Sequence, residues 1–155
     1  MSVYVEKLYN RLLAIVQTPD IPSSVTENAA IALGRLGLGS CDDLAPHLES
    51  FARPFLDAIK NVAETDEKDT ALRGFAMIVG RNPEAMESCL VPFFKCIAKY
   101  KEPTQELHDL FQQVCFAYLS LLPRFMQKLL KMLTYNCNSR QLLVTRVLLE
   151  IGLLL

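Results

Sequence analysis

Residues 52–59, Ala-Arg-Pro-Phe-Leu-Asp-Ala-Ile, recur 38 positions later as residues 90–97, Leu-Val-Pro-Phe-Phe-Lys-Cys-Ile. Each copy sets a proline directly before a phenylalanine and ends on an isoleucine five positions after that proline. Apolar residues continue outward from both copies at helical spacing. Leu44, Leu48, Phe51, Phe55, Ile59 and Val62 predict a helical region over about 43–62. Met86, Leu90, Phe93, Ile97 and Tyr100 predict a second, opened by Asn82-Pro83 as N-cap and first-turn proline. Pro54 and Pro92 are expected to kink or break these helices. Between them, the polar turn Glu64–Asp69 precedes a helix with Leu72, Phe75, Ala76 and Val79 inward.

The same reading extends in both directions. Val5, Leu8, Leu12 and Val16 mark a first helix over 3–17, stopped by Thr18-Pro-Asp-Ile-Pro22. Ser24-Val-Thr-Glu27 has capping-box spacing, with Val25, Ala29, Ala32, Leu33 and Leu36 as the stripe behind it. Gly37 and Gly39 are placed to end that helix. Glu102-Pro-Thr104 opens another, with Leu107, Leu110, Phe111, Val114 and Tyr118 inward, and two more are expected over 124–134 and 140–154. Second helices of successive pairs start near Asn28, Asp69 and Asp109, a period of about 40. Two helices per period with a proline in the first is the pattern of HEAT-type repeats. The predicted fold is an all-α superhelix of three to four antiparallel helix pairs, each burying its apolar stripe on its neighbours.

Composition narrows the function. Among 155 residues, 51% are apolar and the net charge is -1, so a basic nucleic-acid-binding surface is not predicted. The neutral total conceals an asymmetry: residues 1–120 carry 11 basic and 16 acidic side chains, residues 121–155 five basic and one acidic. Residues 1–120 therefore read as the repeat segment, and 121–155 as a basic, leucine-rich helical tail. In the tail, Phe125, Met126, Leu129, Leu130 and Leu133 beside Lys128 and Lys131 suit either a further or terminal repeat or a membrane-surface helix. No apolar run reaches 18 residues, and stable membrane insertion is not expected. Five cysteines without a C-x-x-C pair suit a reduced, intracellular protein, with Cys89, Cys96 and Cys115 acting as small buried hydrophobes.

No pattern of catalysis emerges. Gly34-Arg-Leu-Gly37-Leu-Gly39 reverses the dinucleotide fingerprint and follows a helix, so close helix packing and a helix C-cap explain it better. Glu64, Asp66, Glu67 and Asp69 lack the calcium-loop spacing and read as negative charge at a helix N-terminus, with contact to a basic partner as the alternative. His47 and His108 have no nucleophile at a characteristic spacing. The chain is read as a non-enzyme without cofactor or metal.

Extended motifs then line up in order: Thr26-Glu-Asn-Ala-Ala-Ile-Ala-Leu-Gly-Arg-Leu-Gly37, Ala45-Pro-His-Leu48, Phe51-Ala-Arg-Pro-Phe55, Glu67-Lys-Asp-Thr-Ala-Leu-Arg-Gly74 and Asn82-Pro83. Together they resemble the C-terminal HEAT repeats of the transportin family of importin-β-like nuclear import receptors (karyopherins), most strongly over 19–82. Residues 121–155 do not carry the resemblance. It implies a C-terminal fragment of a receptor that carries proteins with nuclear localisation signals through the nuclear pore under Ran-GTPase control. Implied partners are such cargo, nucleoporins, and Ran through N-terminal repeats absent from this chain; the implied location is cytoplasm and nucleus. A repeat scaffold or adaptor without a transport role is the alternative. In such receptors the second helices line the inner surface, which makes Glu27, Arg35, Lys68, Arg73 and Gln112 the candidate partner contacts.

Overall fold

The computed structural model describes residues 2–121, with side chains to Tyr118. Six α-helices span Val3–Gln17 (α1), Ser23–Leu44 (α2), Leu48–Ile59 (α3), Asp66–Arg81 (α4), Leu90–Lys99 (α5) and Gln105–Leu121 (α6). Short 3-10 segments, Ala45–His47 and Pro83–Cys89, lead into α3 and α5. There is no strand among the described residues. The helices form three successive pairs in two layers, with α2, α4 and α6 stacked in one and α1, α3 and α5 in the other. This is the HEAT-like all-α stack that the 40-residue period predicts. The tail and its two expected helices lie outside the described residues.

Aromatic rings connect the layers from one pair to the next. Tyr9 of α1 meets Phe51 of α3 edge-on at 5.9 Å, and Phe51 meets Phe75 of α4 at 6.2 Å. Phe75 also stacks on Phe55 at 4.1 Å and reaches Phe93 of α5 at 5.8 Å. Phe93 continues to Phe111 of α6 at 6.5 Å. Phe51, Phe55, Phe75 and Phe93 are fully buried. Because no pair contains a closed core of its own, this contiguous apolar seam is what holds the pairs together.

The prolines behave differently from expectation, for local reasons. Pro54 lies inside α3 without ending it. Its missing N–H frees the carbonyl of Ser50 one turn earlier, and Gln17 Nε2 of α1 donates to that oxygen at 3.0 Å. A neighbouring helix thus supplies the hydrogen bond the proline removes. Pro92 is the third residue of α5, within the first turn, where its N–H would lack an intrahelical partner anyway. The region predicted to start at Pro83 is a 3-10 segment up to Cys89, and Asn82 caps nothing there. Its Nδ2 instead donates to the Ala45 carbonyl at 2.9 Å, tying one inter-pair turn to the next.

Two expectations for α2 are also corrected. Ser24 and Glu27 form no capping box, because the helix begins at Ser23 and the Pro22 carbonyl accepts from Val25 at 2.9 Å. The regular helix that starts at Ser23 is interrupted one residue after Gly39, at Ser40 (φ -142°, ψ 32°), and a second helical segment continues across that kink to Leu44; neither Gly37 nor Gly39 takes the left-handed conformation expected of a cap. Gly34 and Gly37 have another role. A methyl group at Gly37 would sit 2.5 Å from the Gly74 carbonyl oxygen, and one at Gly74 would collide with the Gly34 carbonyl. The two backbones touch across α2 and α4, which only glycine permits. Close packing, the first half of the sequence reading, holds; of the second half, the interruption falls next to Gly39, without a left-handed glycine cap.

Buried thiols give the fold a pH signature. Cys41, Cys89 and Cys115 are buried and free, and Cys96 is half-buried and free. Burial pushes the Cys115 thiol up to about 12, from 9.0. The unfolded chain therefore releases this proton near pH 9 while the folded chain keeps it. Stability is full below pH 9 and falls as pH rises toward 12. At pH 10 the loss from Cys115 alone is about 1.4 kcal/mol. Urea unfolding at pH 8 and pH 10 measures it, and Cys115→Ala should lose correspondingly less between the two.

Candidate partner-binding face

The layer of second helices, α2, α4 and α6, presents a continuous face whose polar residues are paired from one helix to the next. Arg35 of α2 donates from Nε to Thr70 Oγ1 of α4 at 2.9 Å and lies 3.8 Å from Glu67. Arg73 of α4 forms the corresponding pair with Glu106 of α6. The two arginines thus occupy equivalent places in consecutive pairs. Each binds the first turn of the next second helix, where that helix carries its acidic residues. At the opposite end of the face, Arg81 Nε pairs with Asp42 of α2 at 2.9 Å.

The other sequence candidates separate. Glu27 is half-buried in the first turns of α2, and Gln112 is exposed on α6 within 3.4 Å of His108 Nε2. Lys68 does not reach the surface of this face. Only 6% exposed, it donates from Nζ to the Val62 carbonyl at 2.6 Å and lies over the Tyr100 ring. Its long apolar stem, indistinguishable in sequence from that of a solvated lysine, is drawn inward by this carbonyl and ring. The structure therefore removes Lys68 from the set of residues open to a partner.

Part of the acidic turn is tied down, while Asp66 and Glu67 stay exposed. Asp69, 3% exposed, accepts from Thr104 N and Thr104 Oγ1, both at 2.9 Å, and so fastens the start of α6 to α4. Thr104 in turn caps α6 through Leu107 N at 3.3 Å. Glu64 accepts from Lys101 N at 3.1 Å. His47 lies beside the Tyr9 ring and its backbone carbonyl, not its ring, accepts from the Ser50 hydroxyl at 2.6 Å; His108 lies beside Asp109. The described residues contain no cluster suited to a metal ion.

What the sequence reading missed is a groove. Between the C-terminal halves of α4 and α6 lies a cleft of roughly 300 Å³, lined by Cys41, Ala76, Met77, Gly80, Arg81, Leu110, Gln113, Val114 and Ala117. Its floor is apolar, with the exposed Gln113 amide at the rim and the Arg81 guanidinium beside it, its Nε held by Asp42. It exists because α2 and α4 meet backbone to backbone at their glycines, whereas α4 and α6 are held apart by side chains. Gly80, with nothing within 4 Å of a notional Cβ, leaves its floor open. Such a groove suits an extended segment offering small apolar side chains and backbone hydrogen bonds. The helical period could have indicated Met77 and Ala117 as off-stripe apolar residues, but not that they converge with Leu110, which was read as inward and is half-buried at the groove.

No protein-family profile matches the chain. Individual proteins do. The chain is 42% identical over 114 residues to importin subunit beta-2 of Schizosaccharomyces pombe, covering 74% of this chain and 12% of that protein. It is 30% identical over 118 residues to human transportin-1, covering 76% and 13% respectively. Against transportin of Dictyostelium discoideum the identity is 27% over 115 residues, covering 74% and 12%. The chain thus spans about an eighth of the length of these relatives, whose names describe import and transport. No helix among the described residues is long and apolar enough to cross a membrane. With the 40-residue helix pairs, the paired second-helix face and these identities together, the chain is transportin-like over about three quarters of its length.

Proposed function

We propose that this chain is a segment of a nuclear import receptor, and that its second-helix face holds part of an extended cargo segment. The observation that carries the reading is the open apolar groove between α4 and α6, on the layer where the arginine–glutamate pairs leave the backbone rigidly spaced. The similarity to importin beta-2 and the transportins supports it. In this reading the protein does no covalent chemistry. It binds a localisation-signal segment by seating small apolar side chains over Met77, Gly80 and Val114, while Arg81 and Gln113 hold the segment's carbonyl or carboxylate groups. Glu27 and Gln112 are polar contacts farther along the same layer. Arg35 and Arg73 act mainly by fixing the spacing of α2, α4 and α6, so reversing their charge would report on the stack rather than on cargo. Ran and nucleoporins are partners of the whole receptor, and the location is cytoplasm and nucleus.

Fluorescence anisotropy with a labelled peptide carrying a proline-tyrosine localisation signal tests this reading. Met77→Glu places a charge on the groove floor and should weaken binding at least tenfold; Lys95→Glu, exposed on α5 in the other layer, should leave it unchanged. Equal binding by the wild-type and Met77→Glu chains, or no binding by the wild-type chain, would contradict it.

A further inference from the structure

Arg81 is the one charged residue among those lining the groove between α4 and α6, and it stands apart from the arginines that space the stack. Arg35 and Arg73 reach forward, to acidic residues in the first turn of the next second helix. Arg81, the last residue of α4, reaches back to Asp42, near the end of α2. That pair is open to solvent, its side chains 60% and 78% exposed, and Asp42 meets Nε through the single oxygen Oδ1 at 2.9 Å.

Asp42 is poorly placed for the helix that carries it. A helix C-terminus presents unpaired carbonyls and disfavours negative charge, yet Asp42 and Asp43 follow each other there with no basic residue in the last turn. Local rules broken in this way are expected at functional positions. The kink at Ser40 sets the segment from Cys41 to Leu44 apart from the rest of α2. Cys41 and Leu44 are buried and hold that segment in place, and Cys41 is itself part of the groove wall. Releasing Arg81 therefore needs no backbone movement, only rotation of one exposed side chain.

We propose that Asp42 is a placeholder: it holds Arg81 in the free chain and yields it to an aspartate or glutamate side chain of the segment bound in the groove. An exposed ion pair contributes little, so giving it up is cheap. A carboxylate carried by a bound segment meets the same guanidinium beside an apolar wall, where water screens less, and engages its fork with both oxygens. The groove thereby selects, among extended apolar segments, those with an acidic side chain at the Arg81 end. Asp42 sets the threshold, because it competes for Arg81 until the rest of the segment is seated. This inference rests on the reading of the groove as the site of an extended segment.

Fluorescence anisotropy with two labelled peptides tests it: a proline-tyrosine localisation peptide that contains acidic residues, and a copy with each of these changed to Asn or Gln. The wild-type chain is expected to prefer the acidic peptide about threefold, and Asp42→Asn to tighten that peptide about a further threefold while leaving the amide copy unchanged. Arg81→Gln should abolish the preference, and adding Asp42→Asn to it should change nothing more. Both positions are exposed, so neither change threatens the fold. If removing a negative charge acted only in general, the gain would persist in the Arg81→Gln background. If Asp42 merely supported Arg81 or the helix, Asp42→Asn would weaken both peptides. Either result, or an unchanged affinity of Asp42→Asn for the acidic peptide, overturns the proposal. When peptide binding that shows one of these patterns still falls with Met77→Glu, the groove reading stands and only the placeholder falls. Absence of binding of both peptides by the wild-type chain overturns the two together.

Discussion

Phe75→Ala lowers the unfolding free energy by about 4 kcal/mol, the largest effect expected from any single truncation in the described residues. Phe75 is fully buried and is the one ring that touches α3 twice and α5 once, through Phe51, Phe55 and Phe93. Removing it leaves a void at the junction of the second and third helix pairs, where stacked and edge-on contacts on three sides cannot collapse together. A domain of this size has only about 5–15 kcal/mol in reserve. The loss therefore moves the urea midpoint far down and is expected to reduce cooperativity, because the pairs hold one another through this seam. Far-UV circular dichroism against urea measures both. Tyr4→Ala, at a side chain 85% exposed on α1, is the comparison and should change stability by less than about 0.5 kcal/mol.

Gly74→Ala should cost about 3 kcal/mol, although alanine is intrinsically the better helix former. The added methyl would collide with the Gly34 carbonyl and come within 3.1 Å of Leu38 N, both backbone atoms that cannot turn aside. The helices must separate, and the α2–α4 contact on which the paired arginines are registered opens with them. Gly80→Ala in the same helix meets nothing within 4 Å and should stabilise by about 0.5 kcal/mol. The opposite signs distinguish close approach from helix propensity. If both substitutions stabilise, the backbones of α2 and α4 are not in contact, and thermal unfolding of the two variants decides it.

Most of the architecture is legible in the chain because helix pairs of this kind are local. The inner stripes, such as Leu44, Leu48, Phe51, Phe55 and Ile59, are buried as their spacing requires, whereas Leu8 of α1 and Val25 and Ala32 of α2, read into the stripes of the first pair, are exposed. Boundaries were harder wherever the deciding partner came from another pair. Pro54 looks like a helix breaker until Gln17 is seen on the Ser50 carbonyl, 33 residues away. Gly37 looks like a helix terminus until α4 is seen against it. At the candidate site the same rule applies. Arg35 and Arg73 were visible as off-stripe polar residues on the second helices, but their engagement with Glu67 and Glu106 depends on the stacking distance. Lys68 reads as surface and is buried. The groove arises from a difference in spacing between two helix pairs, which no single helix encodes.

In the proposed function an extended segment seats between α4 and α6. Amide NMR of the chain titrated with an unlabelled proline-tyrosine localisation peptide tests it most directly. Saturable shifts are expected at Met77, Gly80, Arg81, Leu110, Gln113 and Ala117, with α1, α3 and α5 unmoved. Shifts centred on the α1–α3–α5 layer, or none that saturate, would contradict it.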